Sequence, residues 1–452
     1  MKIKLIFLSL MLLTFSNESI SQNWQPLITL PGSGTTSMKM NSAGDLFFTT
    51  ASFNFPSGQT AGVYRLLNGT SLMALINPTG GTAFNSRTVE TEGGNSVWAS
   101  FWGNPSAMTE GLYYSTNKGD SWTNTFSIGT GNNIFSIKAD PDNDNVYLGA
   151  RNGVYKSTNN GLNFSLSNTG MAPNSWTYDI EKAGNTLLAA TSIGVYKSLD
   201  AGSNWSMVNG ITPNDTPKVI SVFNSASGTK VYIGTSRGAI YISDVQVLDL
   251  ISVYSFLSSN IIAMLILENN FNQALRHLYV SAFPQNFDQL GNGLFYSGSS
   301  DTGWTNFDAG LPLPYKVSAM GGRIVGNVIT LFAGTFNNMS NGVRIFKNEY
   351  TVGINNISTA VPEKYSLSQN YPNPFNPTTK IRFEIQKDSE VKLVVYNSLG
   401  KEISTLVNKN LNAGTYETDF NGEGHSSGVY FYKLFISGEK NFIETRKMIL
   451  TK

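Results

Sequence analysis

The chain of 452 residues contains no cysteine and only two histidines. Without thiols it can form neither disulfides nor zinc–thiolate sites, and a lipoprotein anchor on cysteine is excluded. Because His277 and His425 lie in different parts of the chain, a Ser-His-Asp triad or a multi-histidine metal site is not expected. We therefore expect no metal and no cofactor, and we expect stability to come from apolar burial.

Charged residues are also scarce. They make up 13% of the chain and leave a net charge of +1. This balance generates no field that would attract nucleic acid or an anionic membrane, so we predict no nucleic-acid partner. The chain has 43 glycines, and aromatic residues make up 12%. That mixture is typical of many short strands joined by tight turns, which predicts an all-β fold.

No apolar run is long enough to cross a bilayer, which takes about 20 residues. Residues 250–267 are strongly apolar but interrupted by serines, so we predict two buried strands joined by a turn and no transmembrane span. The first residues combine Lys2 and Lys4 with an apolar run over residues 5–15 and a small-residue site at 19–21. This pattern predicts a signal peptide over residues 1–21 and export from the cytoplasm.

A glycine followed by apolar and aromatic residues recurs along the chain. Successive copies lie 41 to 55 residues apart, starting at Gly62, Gly111, Gly153, Gly194, Gly238, Gly293 and Gly342. Two further strand patterns precede each copy. Four-stranded propeller blades have about this length, roughly 40–50 residues. The repeat predicts a seven-bladed β-propeller over residues 22–350.

The seventh repeat lacks a fourth strand. At the other end of the predicted domain, the segment from Asn23 to Ile28 matches fourth strands that begin at Trp122, Trp205 and Trp304. We predict that this N-terminal strand completes the last blade, which joins the chain ends and leaves no open sheet edge.

Three repeats share a turn with the pattern Ser-x-Asx-x-Gly followed by an aromatic residue. Its members are Ser115, Asn117, Gly119 and Trp122; Ser157, Asn159, Gly161 and Phe164; and Ser198, Asp200, Gly202 and Trp205. The Asx side chain can accept backbone N–H bonds, glycine allows a positive φ, and the aromatic ring packs back between strands. These turns resemble the Asp-box repeats of sialidase-type propellers. In that family the turn lies away from the binding face, so the resemblance implies a structural role.

The composition changes after Tyr350. We predict a polar linker over residues 351–364 and a small antiparallel β-sandwich over residues 365–452, where alternating strands are separated by turns. The sandwich resembles the C-terminal sorting domain of type IX secretion found in Bacteroidota and their relatives. The resemblance rests on several segments, at residues 395–400, 411–416, 427–430 and 447–452, and on a proline-rich opening, namely Tyr371, Pro372, Asn373, Pro374, Phe375, Asn376 and Pro377.

The resemblance to sorting domains implies that the type IX secretion machinery is a partner. It also implies passage through the periplasm to the outer cell surface or the medium. A carbohydrate-binding sandwich is the alternative interpretation of this segment.

Enzymatic activity is one of two hypotheses for the propeller, because Asp-box propellers include sialidases and endo-glucanases. Arginines are few and no Arg-Ile-Pro signature is present, which disfavours sialidase chemistry. Two carboxylates from different loops could still form a glycosidase pair, and Glu110, Asp215 and Asp288 are the candidates.

Binding without catalysis is the favoured hypothesis. The loops between the second and third strands are long in four neighbouring repeats, and they carry aromatic residues. The candidate ligand-binding residues are Phe53, Phe55, Phe101, Trp102, Phe283, Phe287 and Phe336. Aromatic residues on long loops suit sugars or proteins, although the same rings could instead pack the loops. We therefore predict adhesion to a glycan or protein, with glycoside hydrolysis as the alternative.

Overall fold

The computed structural model describes residues 24–30, 34–51, 61–70, 73–78, 85–102, 111–129, 133–225, 228–256, 259–268, 276–284, 293–298, 303–311, 316–325, 328–336, 343–351, 354–358, 360–422, 425–437 and 441–451. These residues form antiparallel β-sheets and no α-helix. No stretch of them forms a helix of the length and apolarity that a bilayer crossing requires. The predicted signal peptide, residues 1–21, lies outside the described residues.

Four-stranded sheets with sequential strand order follow one another along the chain. They are β6 (Asn85–Glu92), β7 (Ser96–Trp102), β8 (Gly111–Ser115) and β9 (Thr123–Phe126); β10 (Ile134–Ala139), β11 (Val146–Ala150), β12 (Gly153–Ser157) and β13 (Ser165–Leu166); β14 (Thr177–Ala183), β15 (Thr186–Thr191), β16 (Val195–Ser198) and β17 (Ser206–Val208); β18 (Pro217–Ser225), β19 (Gly228–Thr235), β20 (Ala239–Asp244) and β21 (Ile251–Ser255); and β22 (Ser259–Glu268), β23 (Arg276–Pro284), β24 (Gly293–Ser297) and β25 (Thr305–Asn306).

A larger sheet joins the two ends of this region. It contains β1 (Gln25–Leu30), β2 (Gly34–Met40), β3 (Leu46–Ala51), β4 (Gly62–Leu66), β5 (Met73–Leu75), β26 (Lys316–Val325), β27 (Val328–Phe336) and β28 (Val343–Thr351). The order is β1-β28-β27-β2-β3-β4-β5, and β26 pairs with β27. A single residue pair, Gly34 and Phe336, links β2 to β27.

The first strands of successive sheets surround a common centre. The strands β2, β6, β10, β14, β18, β22 and β26 contact one another in that order, and β26 also contacts β2. We call them the inner strands. Sheets arranged radially in this way form a β-propeller.

The second strand of each sheet is the most deeply buried. In β3, β11 and β15 every residue is buried, which explains why these segments are near-continuous apolar runs. Neighbouring sheets approach closely at Gly149 of β11, where an added Cβ would lie 2.8 Å from the backbone oxygen of Thr177. Glycine is required here because a side chain would push the two sheets apart.

The strand that precedes the repeats pairs with the last one. Gln25 lies opposite Lys347, and Leu30 lies opposite Val343. Trp24 is buried and donates its indole N–H to the carbonyl of Phe307, 3.0 Å away in the preceding sheet. In the same way, Trp122 donates to the carbonyl of Ile76 and Trp205 donates to that of Ser167, each in the preceding sheet. Trp24 therefore occupies the position of a fourth-strand tryptophan.

The Ser-x-Asx-x-Gly turns share one hydrogen-bond pattern. In the first, the Ser115 hydroxyl accepts the backbone N–H of Gly119 at 2.8 Å, and the Asn117 side chain accepts that of Ser121 at 2.9 Å. Gly119, Gly161 and Gly202 have φ angles between 82° and 87°, as the turn requires. In all three turns the serine hydroxyl is a further acceptor, which the sequence did not indicate.

The segment at residues 250–267 forms strands with no long helix, as predicted, but only one of them is buried. β22 lines the centre, whereas β21 is the outermost strand of its sheet and is largely exposed, with Ile251 62% exposed. The prediction of two buried strands is wrong for β21, because an outer propeller strand has sheet on one side only.

The C-terminal residues form two packed sheets. One contains β29 (Ile354–Ser358), β30 (Ser366–Leu367), β31 (Thr378–Ile385) and β34 (Gly414–Asn421), and the other β32 (Ser389–Asn397), β33 (Glu402–Leu411), β35 (Gly428–Ser437) and β36 (Phe442–Leu450). Between residues 351 and 364, where the sequence predicts a linker, β29 pairs with β34. A polar edge strand needs no apolar alternation, so the composition did not reveal it.

The proline-rich opening and the chain end meet in the sandwich. Phe375 is buried, and its N–H and carbonyl bond the backbone of Ile449 and Thr451. Tyr371, four residues earlier, is 80% exposed. The two segments that carry the sorting-domain resemblance are therefore one structural unit.

Candidate functional site

Each inner strand carries a β-bulge close to its start. In β10, for example, Ile134 pairs with Ala150 and Ser136 pairs with Gly149, so Phe135 between them has no partner. A register shift recurs at the same place in the other six inner strands; it skips one residue in five of them and spans Arg87 and Thr88 in β6. A bulge turns one side chain away from the regular alternation of a strand, and bulges are often found next to binding sites.

The bulged residues form a ring at one end of the central channel. They are Thr36, Arg87, Phe135, Tyr178, Lys218, Ile262 and Ser318, one from each inner strand, and we call them the bulge ring. All seven line a cavity of about 460 Å³ enclosed by the inner strands. Each is half-buried or exposed, although the residue before it is buried. The bulges therefore turn one side chain per inner strand towards the channel.

Four consecutive ring members combine two cations with two aromatic rings. The Arg87 guanidinium carbon lies 4.3 Å from the Phe135 ring centroid, and the Lys218 ammonium lies 3.5 Å from that of Tyr178. The two rings contact each other with centroids 5.7 Å apart. Trp176, which is 37% exposed, stacks on Phe135 at 5.9 Å. We call these five residues the mouth cluster.

The two cations of the mouth cluster lack carboxylate partners. Within the part of the chain that the structure describes, neither Arg87 nor Lys218 forms an ion pair or a side-chain hydrogen bond. Burial, and then the nearby charge of Arg87, lower the pKa of Lys218 to about 8. Burial also lowers the pKa of Arg87. A partly desolvated cation without a counter-ion is costly, which makes this pair unusual.

The remaining ring members are neutral. The Thr36 hydroxyl donates to the carbonyl of Ser86 at 2.7 Å, and the Ser318 hydroxyl donates to that of Thr35 at 2.6 Å. Each of these bonds links neighbouring inner strands. Ile262 adds an apolar side chain that is 36% exposed. The ring therefore has one cationic, aromatic arc and one arc of small or apolar residues.

A second layer of charge lies three residues further along four inner strands. It consists of Lys39, Glu90, Lys138 and Glu181, and we call it the ion-pair layer. Lys39 lies 3.2 Å from Glu90 and 3.9 Å from Glu181, and Lys138 lies 2.5 Å from Glu181. Although burial alone would raise the pKa of Glu181, the two lysines hold it below its usual range. Glu90, with Glu181 behind it, raises the pKa of Lys39.

Asp179 lies between the two layers. Its carboxylate accepts the backbone N–H of Ile220 at 2.8 Å and that of Ile180 at 2.9 Å. Burial, and then the charge of Glu181, raise the pKa of Asp179 to about 7. The carboxylate is thus held by backbone donors, and it forms no ion pair with the mouth cations within the described residues.

The predicted aromatic rim is only partly described. Phe53, Phe55 and Phe287 lie outside the described residues. Phe101 and Phe283 are each 5% exposed, and Phe101 packs edge-on against Tyr113 and Trp122. Two described candidates therefore contribute to the core. Trp102 and Phe336 are half-buried, and a binding role for the rim stays a prediction.

The predicted carboxylates do not come together among the described residues. Glu110 and Asp288 lie outside them. Asp215 is buried, where it accepts the Thr235 hydroxyl at 2.7 Å and the backbone N–H of Arg237 at 3.1 Å. His277 is buried against the Tyr296 hydroxyl, 3.0 Å away, and burial lowers its pKa to about 4. The side chains of Asp215 and His277 therefore both form structural contacts within the fold. Of the described arginines, Arg87 alone lines the cavity.

Family comparison identifies the C-terminal part of the chain. Residues 369–451 match the family described as the secretion system C-terminal sorting domain. The predicted sorting domain is therefore confirmed, and it indicates export by type IX secretion to the cell surface or the extracellular space. A comparison with curated proteins finds no match.

Solved structures resemble the chain in fold. The extracellular domain of BT4673 from B. thetaiotaomicron matches with a TM-score of 0.51 and 10% identity, over 95% of this chain and 59% of that one. YCF48 bound to D1 peptide has 14% identity and a TM-score of 0.49, over 73% of this chain and 95% of that one. The GH74 xyloglucanase from Xanthomonas campestris has 12% identity and a TM-score of 0.49, over 80% and 59%. At such identities the likeness concerns fold alone.

Proposed function

We propose that this protein is a seven-bladed propeller that type IX secretion exports to the outer cell surface, where it binds an extracellular ligand without transforming it. The N-terminal strand seals the ring, a signal peptide directs the first step of export into the periplasm, and the sorting domain engages the secretion machinery. The ligand binds at the mouth cluster. The cyclic contacts of the inner strands and the pairing of β1 with β28 support this architecture.

The observation that carries the binding proposal is the mouth cluster itself. Two cations, Arg87 and Lys218, lie against aromatic faces without carboxylate partners among the described residues. Desolvating charges without pairing them lowers stability. Such an arrangement is favourable when a ligand completes it, because the ligand then gains charge-assisted contacts in a partly dry site.

The opposite end of the channel is a weaker candidate. There the Ser-x-Asx-x-Gly turns close on themselves, as Ser157 accepts from Gly161 and Asn159 accepts from Asn163. Their aromatic residues are committed to contacts between sheets, as Trp205 shows. Turns with satisfied donors and buried rings offer little to a ligand, so a structural role in the manner of Asp-box repeats suits them.

Binding by the secreted form, residues 22–452, tests the proposal. A glycan and peptide array identifies a ligand, and titration calorimetry compares Trp176→Ala and Tyr178→Ala with Leu199→Ala, a control in a turn at the far end that is 71% exposed. Loss of an aromatic contact worth about 1 kcal/mol predicts an affinity roughly 5–10-fold lower in the first two variants. Unchanged affinity in both would place binding elsewhere, with the predicted rim as the next candidate.

Glycoside hydrolysis remains the second candidate, and one observation favours it. Asp179 and Glu181 lie two residues apart on one strand, and their pKa values are displaced in opposite directions, as in an acid–base pair. Against it, both oxygens of Asp179 accept backbone N–H groups and lysines hold Glu181. We expect no release of fluorophore from fluorogenic glycosides. Turnover that Asp179→Asn abolishes would establish the enzyme instead.

A further inference from the structure

We infer that the ligand of the mouth cluster is an acidic saccharide, whose carboxylate lies between Arg87 and Lys218 while its ring lies along the aromatic residues between them. This inference rests on the proposed binding function and names the chemistry of its ligand. Three observations carry it: the missing counter-charge, the placement of the cations, and the polar cavity below them.

The missing counter-charge calls for an anion. Arg87 packs on Phe135 and Lys218 packs on Tyr178, and these two rings contact each other. The ion-pair layer supplies no counter-charge to these two cations, because its own two lysines and two glutamates balance one another. Asp179 is occupied by the N–H groups of Ile180 and Ile220. A bound carboxylate would supply the partner that the described residues lack, in a site where charge-assisted bonds are strong.

The placement of the cations defines a two-sided clamp. Arg87 is the bulged residue of β6 and Lys218 that of β18, and the two strands between them, β10 and β14, contribute Phe135 and Tyr178. The arc therefore places cations at its ends and aromatic rings in its middle. Because the cations cover a face of Phe135 and a face of Tyr178, a sugar would contact the rings along their edges while its carboxylate contacts the cations.

The cavity favours a saccharide over a peptide. Its volume of about 460 Å³ falls in the range that small ligands occupy, roughly 300–1,000 Å³. Hydroxyl-bearing side chains such as Ser37, Thr88 and Ser221 line it. Hydroxyl groups of a sugar can bond in such a cavity, whereas an apolar peptide side chain would leave these polar groups unsatisfied.

Matched ligands that differ only in charge test the inference. The probes are oligogalacturonate, oligoglucuronate and a sialylated oligosaccharide, each with its methyl-esterified form, together with a sulfated oligosaccharide and peptides ending in a free carboxylate. Calorimetry uses the secreted form. We expect at least one acidic saccharide to bind 30-fold or more tightly than its ester. If the sulfated oligosaccharide binds most tightly, the ligand is still an acidic saccharide, but the inferred carboxylate is wrong.

Variants test whether Arg87 and Lys218 cause the preference for the acid over the ester. We expect Arg87→Gln and Lys218→Met to remove the preference for the acid over the ester, whereas Lys218→Arg and the control Lys197→Met, which changes a lysine on β16, retain it. Thermal unfolding verifies that each variant is folded. If ester and acid bind alike and Trp176→Ala weakens both, the proposed binding function holds and the acidic ligand is wrong. The inference is also overturned if a peptide binds preferentially, or if no acidic saccharide binds.

Discussion

The mouth cluster and the ion-pair layer lie in the same channel, three residues apart along the strands they share, namely β6, β10 and β14. They differ in whether their charged side chains have counter-ions. In the ion-pair layer each lysine has a glutamate within 4 Å. In the mouth cluster, Arg87 and Lys218 have aromatic faces and no carboxylate among the described residues. Pairing makes buried charge compatible with a stable fold. The binding proposal depends on the absence of such pairing at the mouth among the described residues.

The first and largest prediction concerns the ring that holds both layers. Deleting residues 24–30 removes a buried tryptophan and leaves β28 as an open edge. We expect the free energy of unfolding to fall by more than about 4 kcal/mol, since loss of a buried tryptophan alone costs 3–5 kcal/mol. Both layers should then be lost together, which thermal unfolding and ligand binding can report.

A matched pair of variants separates packing from hydrogen bonding at the closure. Trp24→Phe keeps a ring against Phe307, 5.9 Å away, but loses the bond to its carbonyl. We expect it to cost about 1 kcal/mol, within the usual range for one hydrogen bond, and Trp24→Ala to cost several times more. An unfolding temperature unchanged by the deletion would contradict the closure.

The prediction of the closure depends on signals that are local and repeated. Spacing of the glycine units located the strands, and the tryptophans at positions 122 and 205 marked fourth strands that Trp24 then matched. The turn chemistry was predictable for the same reason. Strand β29 was not, because a polar edge strand has neither alternation nor turn residues to mark it.

The candidate site was harder to predict because bulges leave no fixed residue type. The bulge ring occupies equivalent positions in each repeat, yet it contains Thr36, Phe135, Lys218 and Ile262 among its members. Sequence reasoning looked instead for aromatic residues on long loops, and Phe101 shows how such a residue can pack inward. A repeat alignment that searches for variable positions near the start of each inner strand could have found the ring.

The second prediction tests the ion-pair layer. Glu181→Gln leaves Lys138 and Lys39 facing a neutral amide. We expect a loss of about 2 kcal/mol in the free energy of unfolding, between the values for exposed and fully buried pairs, because these side chains are partly solvated by the channel. Ligand affinity should change less than threefold. Chemical denaturation and calorimetry on the same samples measure both quantities.

A compensating variant sharpens this test. Replacing both Lys138 and Glu181 by methionine removes the pair without leaving an unpaired charge, so stability should largely return. If Glu181→Gln instead abolished binding while stability stayed constant, the two layers would not have separate roles. The contrast between the mouth cluster and the ion-pair layer would then fail.

The third and smallest prediction is a pH dependence at the mouth. The pKa of Lys218 is lowered to about 8 by burial and by Arg87, so its ammonium loses a proton above pH 8. Affinity for an acidic saccharide should then fall by up to about tenfold per pH unit. Unfolding stability changes in the opposite sense, since the desolvated charge destabilises the fold below pH 8 and this penalty disappears as pH rises towards 10.5, the usual lysine value.

Other groups near Lys218 titrate in different ranges, which makes the test specific. Asp179 ionises around pH 7, so its negative charge develops mostly below pH 8 and weakens anion binding by a nearly constant amount above that pH. Burial raises the pKa of Tyr178, and Arg87 stays protonated in this range. Lys218→Arg keeps a cation that does not titrate, so its affinity between pH 8 and 9.5 should be flat. An equal decline in the variant would assign the pH dependence to another group and remove Lys218 from the contact with the carboxylate.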